Sequence, residues 1–167
     1  MSELGRWPIK CEIPVQWGDL DALNHVNHTR FLTWMETARM HYFIASGFDE
    51  LHKSQGIGPI LAGLQADYLS PVSFPDTVTV HTTVTRIGNS SFDMGYKITS
   101  DAKGGELVAT GTVSGVVFDY EAGKSTAMPD SLRQKIYEIE ASVLRQNFRY
   151  SSAKFRLEVC LSVVFSV

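Results

Sequence analysis

The chain has 167 residues, 44% of them hydrophobic and 20% charged, which is the composition of one globular domain able to bury about two-thirds of its unfolded surface. Fifteen Lys+Arg against 18 Asp+Glu leave a net charge of −3, so there is no general electrostatic ground for a nucleic-acid partner. No apolar run reaches the roughly 18 residues of a membrane span, and the opening MSELGRWPIK lacks the apolar core of a secretory signal, so a cytoplasmic chain without a membrane partner is expected.

In chain order, Lys10 to Trp17 alternates Cys11, Ile13 and Val15 with polar or turn-tolerant residues, which predicts a short strand. Pro14 argues for an edge or irregular pairing there. A polar turn, Gly18 to Asn24, leads to a long predicted helix, Asn27 to Phe48. Phe31, Trp34, Met35, Ala38, Tyr42 and Ala45 recur at spacings of three and four on one side of it, with Asn27 as its cap and Gly47 as its stop. After a loop containing Gly56, Gly58 and Pro59 the pattern turns to strands: Ile60 to Tyr68, Thr77 to Ile87, Phe92 to Thr99 and Leu107 to Tyr120. Gly88 to Ser91, Lys103-Gly104-Gly105 and Ala122-Gly123-Lys124 are the turns between and after them. Met128 to Ser131 opens a second helix, Leu132 to about Gln146. One helix before a meander of antiparallel strands is an α+β pattern in which the sheet buries a face on that helix.

From Phe155 onward a period-two alternation reappears after the domain is complete, and residues 143–167 read as an appended, non-catalytic segment. Cys11 and Cys160 are too far apart in sequence to form a metal knuckle or a disulfide framework, in keeping with a reducing compartment.

The chemistry is concentrated in WGDLDALNHVNHTRFLTWMETAR, Trp17 to Arg39. Aspartates in a Gly-Asp-Leu-Asp turn commonly bond their own backbone. A metal site would need further oxygen ligands, and His25 and His28 diverge at a helix start, so no metal is expected. Position favours a functional role for this segment. The first-turn amides after Asn27 have no intrahelical acceptors and sit at the positive end of the helix dipole, where they can stabilise an oxyanion. A carboxylate seven residues upstream can reach the same point, and together they are the minimum equipment for acyl hydrolysis.

Asp21, His25-Val26-Asn27, Arg30-Phe31-Leu32 and Glu36-Thr37-Ala38-Arg39, read as D-x3-HVN-x2-RFL-x3-E-x-AR, resemble the 4-hydroxybenzoyl-CoA thioesterase family, in particular its long-chain acyl-CoA thioesterase branch. Tyr68-Leu69-Ser70-Pro71, Ser91 at a strand start and the Thr112 to Pro129 close of the domain extend the resemblance across residues 8–142. It implies a hot-dog fold, α+β, with a five-stranded antiparallel sheet wrapped around one long helix. It also implies an acyl-CoA substrate, no cofactor beyond the CoA carried by that substrate, and a homodimer or homotetramer with sites between subunits. By the same resemblance Asp21 is the catalytic carboxylate, Asp19 a neighbour that is not the base, and His28 the position whose backbone N–H polarises the thioester carbonyl. Asn27, Arg30, Phe31, Trp34 and Ser91 are the candidate substrate-binding positions, although Asn27, like His25, more readily holds the turn together than does chemistry. His28 and Phe31 depart from the Asn and Tyr common in that branch. Met35, Ile60, Leu61 and Leu64 are further acyl-channel candidates, although a helix inside a sheet needs that many large residues for its core, and core is the stronger reading for any one of them. Arg30, Arg86, Lys97 and Lys124 are candidate partners of the CoA phosphates. The rival readings are a non-catalytic acyl-CoA-binding hot dog and a hydratase or dehydratase. Phe74-Pro75-Asp76, with no fitting His upstream, argues against the second.

Overall fold

The computed structural model describes residues 7–141 and 146–149. The chain forms β1 (Ile9–Pro14), a 3-10 turn (Trp17–Asp19), α1 (His28–Ser46), α2 (Phe48–Gln55) and β2 (Ile57–Tyr68). It continues with β3 (Thr77–Ile87), β4 (Ser91–Ser100), β5 (Glu106–Asp119), β6 (Lys124–Ser125), α3 (Asp130–Ala141) and β7 (Gln146–Arg149). The sheet runs β2-β5-β4-β3-β1-β7, with the two-residue β6 on β5. Pairs are antiparallel except β1 with β7, which is parallel.

The five expected strands are β1 to β5, and they curl around α1 as the α+β hot-dog architecture requires. Register shifts between Leu61 and Gly63, Val84 and Arg86, and Ile98 and Thr99 bend the strands, because each bulge adds local twist. Alternate residues of the strands line the inside: Val78, Val80 and Val84 on β3, Phe92, Met94, Tyr96 and Ile98 on β4, and Val113 and Val117 on β5. Phe31, Trp34, Met35, Ala38 and Tyr42 meet them from α1. The approach is close enough that a Cβ on Gly111 of β5 would lie 2.7 Å from the Met35 Sδ, so any side chain there would displace the end of Met35.

Several boundaries differ from the sequence expectation: Trp17, read as the end of the first strand, opens the 3-10 turn, and Gly58 and Pro59, read as loop, belong to β2. The stretch expected as a loop after α1 contains the helix α2. Its polar sequence FDELHKSQ buries only Phe48 and Leu51, too few apolar residues to make a periodic signal. Ala45 is exposed, and the buried stripe of α1 ends instead on Phe43 and Ser46, because Phe43 closes against Phe48 and Phe92 at ring centroid distances of 5.0 and 5.9 Å. The sequence carries the second helix to about Gln146, whereas Gln146 already pairs with Ile9 in the sheet. That pairing occupies the outer edge of β1 from Ile9 to Glu12, and Pro14, which lacks an N–H, lies beyond it. The alternating segment from Phe155 onward lies outside the described residues, as does Cys160.

Gly47 is the stop of α1, with φ of 81° and its N–H bonded to the carbonyls of Ile44 and Phe43. At the other end of the sheet order, β2 has a strand partner only in β5 among the described residues. Leu61 and Leu64 are 48% and 38% exposed on it. None of the helices among the described residues is long and apolar enough to cross a membrane.

Candidate active site

The segment from Val15 to Arg30 is held in place by backbone bonds before any side chain contributes. Val15 N–H donates to the Asp76 carbonyl at 2.9 Å, Val26 N–H to Val72 at 2.7 Å, and Asn27 N–H to Asp19 at 2.9 Å. A bridge between Leu20 and Val26 closes the loop that carries Asp21. Within it Asp21 N–H donates to the His25 carbonyl at 2.8 Å, and Asn24 adopts a φ of 61°, a left-handed conformation that asparagine tolerates.

The two aspartates have different surroundings. Asp19 is 4% exposed. Its Oδ1 lies 2.6 Å from the Arg30 Nε, and its Oδ2 accepts from the Gln16 N–H at 2.9 Å. Asp21 is half-buried. Its Oδ1 accepts from Leu23 N–H at 2.8 Å and His25 N–H at 3.4 Å, while its Oδ2 has no hydrogen-bond partner among the described residues. The turn-bonding expected of such aspartates therefore takes up one oxygen of Asp21 and leaves the other open.

The start of α1 carries a matching open group. Asn27 is the N-cap: its Oδ1 accepts from the Thr29 N–H at 3.0 Å and from the Thr29 hydroxyl at 2.7 Å, and its carbonyl accepts from Arg30 N–H at 2.9 Å. The N–H of His28 meets no acceptor among the described residues. One amide at the positive end of a 19-residue helix is thus uncommitted. On the other side of this turn, the Tyr68 hydroxyl at the end of β2 donates to the His28 carbonyl at 3.2 Å, and its ring packs edge-on against Phe31 at 5.3 Å. The sequence marks Tyr68 only as part of a family motif, because the contact is made across forty residues.

The other candidates fall in separate places. Phe31 and Trp34 are core residues, with ring centroids 5.1 Å apart, and Met35 is fully buried. Ser91, at the start of β4, accepts a 3.4 Å bond from Arg86, next to the Phe92 ring that packs on the far end of α1. Within one chain it is therefore not brought to Asp21. Of the cations, Arg30 is bound to Asp19, Arg86 to Asp93 at 2.5 Å, and Lys97 lies over the Trp7 ring at 4.4 Å. Lys124 stands exposed on β6. Burial pushes the Cys11 thiol up to about 11, so it is a core side chain and not a nucleophile.

A second feature lies farther along α1. A cleft of about 190 Å³ opens between α1 and the first residues of β2, lined by Glu36, Arg39, Met40 and Phe43 on one side and by Ile60 and Leu61 on the other.

Comparison with known proteins follows the same outline. A model of the thioesterase-like superfamily matches residues 15–136. The long-chain acyl-CoA thioesterase FadM of Escherichia coli is 24% identical over 131 residues, which cover 78% of this chain and 98% of FadM. A thioesterase of Thermus thermophilus, solved with coenzyme A and zinc, is 31% identical with a TM-score of 0.72, covering 82% of this chain and 97% of that one. The PA2801 protein of Pseudomonas aeruginosa is likewise 31% identical, with a TM-score of 0.69 over 77% of this chain and 97% of its own. With the family model spanning the loop of Asp21, the whole of α1 and every long strand after it, this chain belongs to the thioesterase-like superfamily.

Proposed function

We propose that this protein hydrolyses acyl-CoA thioesters to the free acid and CoA, with Asp21 as general base or nucleophile and the start of α1 as the oxyanion site. The observation that carries the reading is the pair of open groups, the Asp21 Oδ2 and the His28 N–H, seven residues apart in a loop held by backbone bonds. The FadM and Thermus relatives supply the substrate class: one is named for long-chain acyl-CoA and the other was solved with coenzyme A.

In this reading the thioester oxygen lies at the His28 N–H, where a fixed dipole needs no reorganisation as charge develops. One such donor is typically worth about 3 kcal/mol at the transition state. Asp21 Oδ2 takes a proton from water as that water adds to the carbonyl carbon, or adds itself to give a mixed anhydride that water then opens. The carbon–sulfur bond breaks in either route, and the CoA thiolate leaves and takes up a proton. A thiolate is a good leaving group, so no strong general acid is required.

The side of β2 left unpaired among the described residues is where a second copy would extend the sheet, and Leu61, Leu64 and Tyr68 exposed along it fit a homodimer or tetramer with sites between subunits. Release of free thiol from a panel of acyl-CoA chain lengths, read with a chromogenic disulfide, tests the proposal. Binding of acyl-CoA without thiol release would assign the chain to a non-catalytic carrier instead.

A further inference from the structure

Arg39 is 7% exposed on α1, and its Nη1 is shut off from solvent with no hydrogen-bond acceptor among the described residues. Its Nη2 lies 3.7 Å from Glu36 Oε1, whose side chain is 62% exposed, and the guanidinium lies near the Tyr96 hydroxyl. A buried guanidinium nitrogen without an acceptor is costly, and buried polar groups nearly always find a partner. The other side chains that line the cleft, among them Met40, Phe43, Ile60, Leu61, Phe92 and Val113, are apolar and offer no acceptor.

The position of the cleft gives the open donor a meaning. β2 runs antiparallel along α1: Tyr68 touches His28 at the helix start, and Ile60 and Leu61 face Arg39 and Met40 farther on. Arg39 follows His28 by eleven residues, roughly 16 Å at 1.5 Å per residue. Carbon–carbon bonds of about 1.5 Å advance an extended chain by about 1.25 Å each, so a twelve-carbon acyl chain with its terminal oxygen, roughly 15 Å, is of similar length. Leu61 and Leu64 are exposed along the strand between the two ends.

Building on the hydrolase reading above, we propose that the α1–β2 cleft selects acyl-CoA substrates whose acyl chain carries a hydroxyl group at its far end, with Arg39 as the specificity-determining residue. Binding in this way requires the terminal torsions of Arg39 to turn Nη1 from its buried position toward the cleft. The hydroxyl oxygen accepts from Nη1, and its proton is donated to Glu36, so both polar groups are satisfied by one ligand group. A terminal methyl satisfies neither. A terminal carboxylate accepts from Arg39 but brings a second negative charge to Glu36. A hydroxybenzoyl group is too short to span the interval.

The test compares kcat/KM for dodecanoyl-CoA, ω-hydroxydodecanoyl-CoA and the mono-CoA thioester of dodecanedioic acid. The hydroxylated substrate is expected to exceed each of the others by about tenfold or more, since a site built to bond a hydroxyl rejects analogues lacking it. Arg39→Met is expected to bring the ratio of hydroxylated to plain substrate close to one. Equal values for the three substrates, a preference for the carboxylated one, or an unchanged ratio in Arg39→Met would overturn the assignment. Calorimetric binding of ω-hydroxydodecanoate against dodecanoate keeps the cleft testable on its own. Tighter binding of the hydroxy acid with no thioester cleaved would sink the hydrolase reading and leave the pocket standing, whereas equal binding would remove the pocket.

Discussion

Asp19 Oδ1 lies 2.6 Å from Arg30 Nε, an ion pair that ties the loop before α1 to the first turn of the helix. It gives two aspartates two positions apart different tasks. Asp19 is consumed by structure, through Arg30 and the Gln16 N–H, whereas Asp21 keeps one oxygen open. Asp19→Asn is expected to lower stability by about 1–2 kcal/mol, in the range of a lost charge-assisted bond with one partly exposed partner. Denaturant unfolding together with kcat on the folded fraction checks this. Stability at the wild-type level would show the pair to be idle.

His28→Pro isolates the backbone donor. Asn27 already has φ of −58° and ψ of 136°, the extended conformation a residue adopts before proline, and proline suits the first helical position. No hydrogen bond within the described residues is lost, because the His28 N–H has no acceptor there. The variant is therefore expected to melt near wild type while kcat drops on the order of 10²-fold, the effect of removing one oxyanion donor. Circular dichroism and steady-state kinetics on the same preparation separate the two readouts.

Glu140 of α3 is fully buried and ties three elements together. Its Oε1 accepts from the Tyr42 hydroxyl at 2.9 Å and the Val84 N–H at 2.7 Å, and its Oε2 from the Thr83 hydroxyl at 2.7 Å. Glu140→Gln keeps the shape and lets the Thr83 hydroxyl reverse its role, so a loss of about 1–2 kcal/mol is expected. Glu140→Ala strands the Val84 N–H beside the bulge of β3 and is expected to cost about 3 kcal/mol or more. Urea unfolding of both variants provides the comparison, and a larger loss for Gln than for Ala would contradict this role.

Two histidines make stability depend on pH near neutrality. Burial lowers the pKa of His41, and burial followed by the charges of Lys10 and Lys97 lowers that of His81, each from an ordinary 6.5. Lys10, His81 and Lys97 lie in register across β1, β3 and β4. The unfolded chain thus takes up protons before the folded one does. The contribution is fully present above pH 6.5 and is lost as pH falls toward the lowered folded values. The urea midpoint is expected to fall between about pH 7.5 and 5.5, a window above the titration of ordinary carboxylates, and to fall less in His81→Gln. A midpoint that holds steady or rises across that interval would refute the sign.

Much of the fold follows from local pattern. The β-branched run of β3 marks its limits at Thr77 and Ile87, and the three- and four-residue spacing from Phe31 to Tyr42 locates the buried face of α1. What the pattern misses depends on contacts made at a distance. α2 is a helix because Phe48 finds Phe43 and Phe92, and Gln146 is a strand residue because β1 offers it an edge. The site divides the same way. Asn27 as cap and Asp21 in its turn are legible from neighbouring residues, since both bond their own backbone. Arg30 reads as a free cation until the fold turns Asp19 toward it, and the Tyr68 bond to His28 has no local signature. Arg39 on the helix reads as an ordinary surface charge paired with Glu36, and only the curl of β2 and β4 over it makes it a buried one.

The central claim is that the Asp21 carboxylate acts on a thioester polarised by the His28 amide. Its most direct test is kcat for acyl-CoA hydrolysis by Asp21→Asn, measured on protein whose melting temperature matches wild type. The asparagine carbonyl can still accept from the Leu23 N–H, so the loop is retained while the base is removed. Hydrolysis reduced by on the order of 10²-fold or more is the expected result. Turnover within a few-fold of wild type in a folded Asp21→Asn protein would contradict the account.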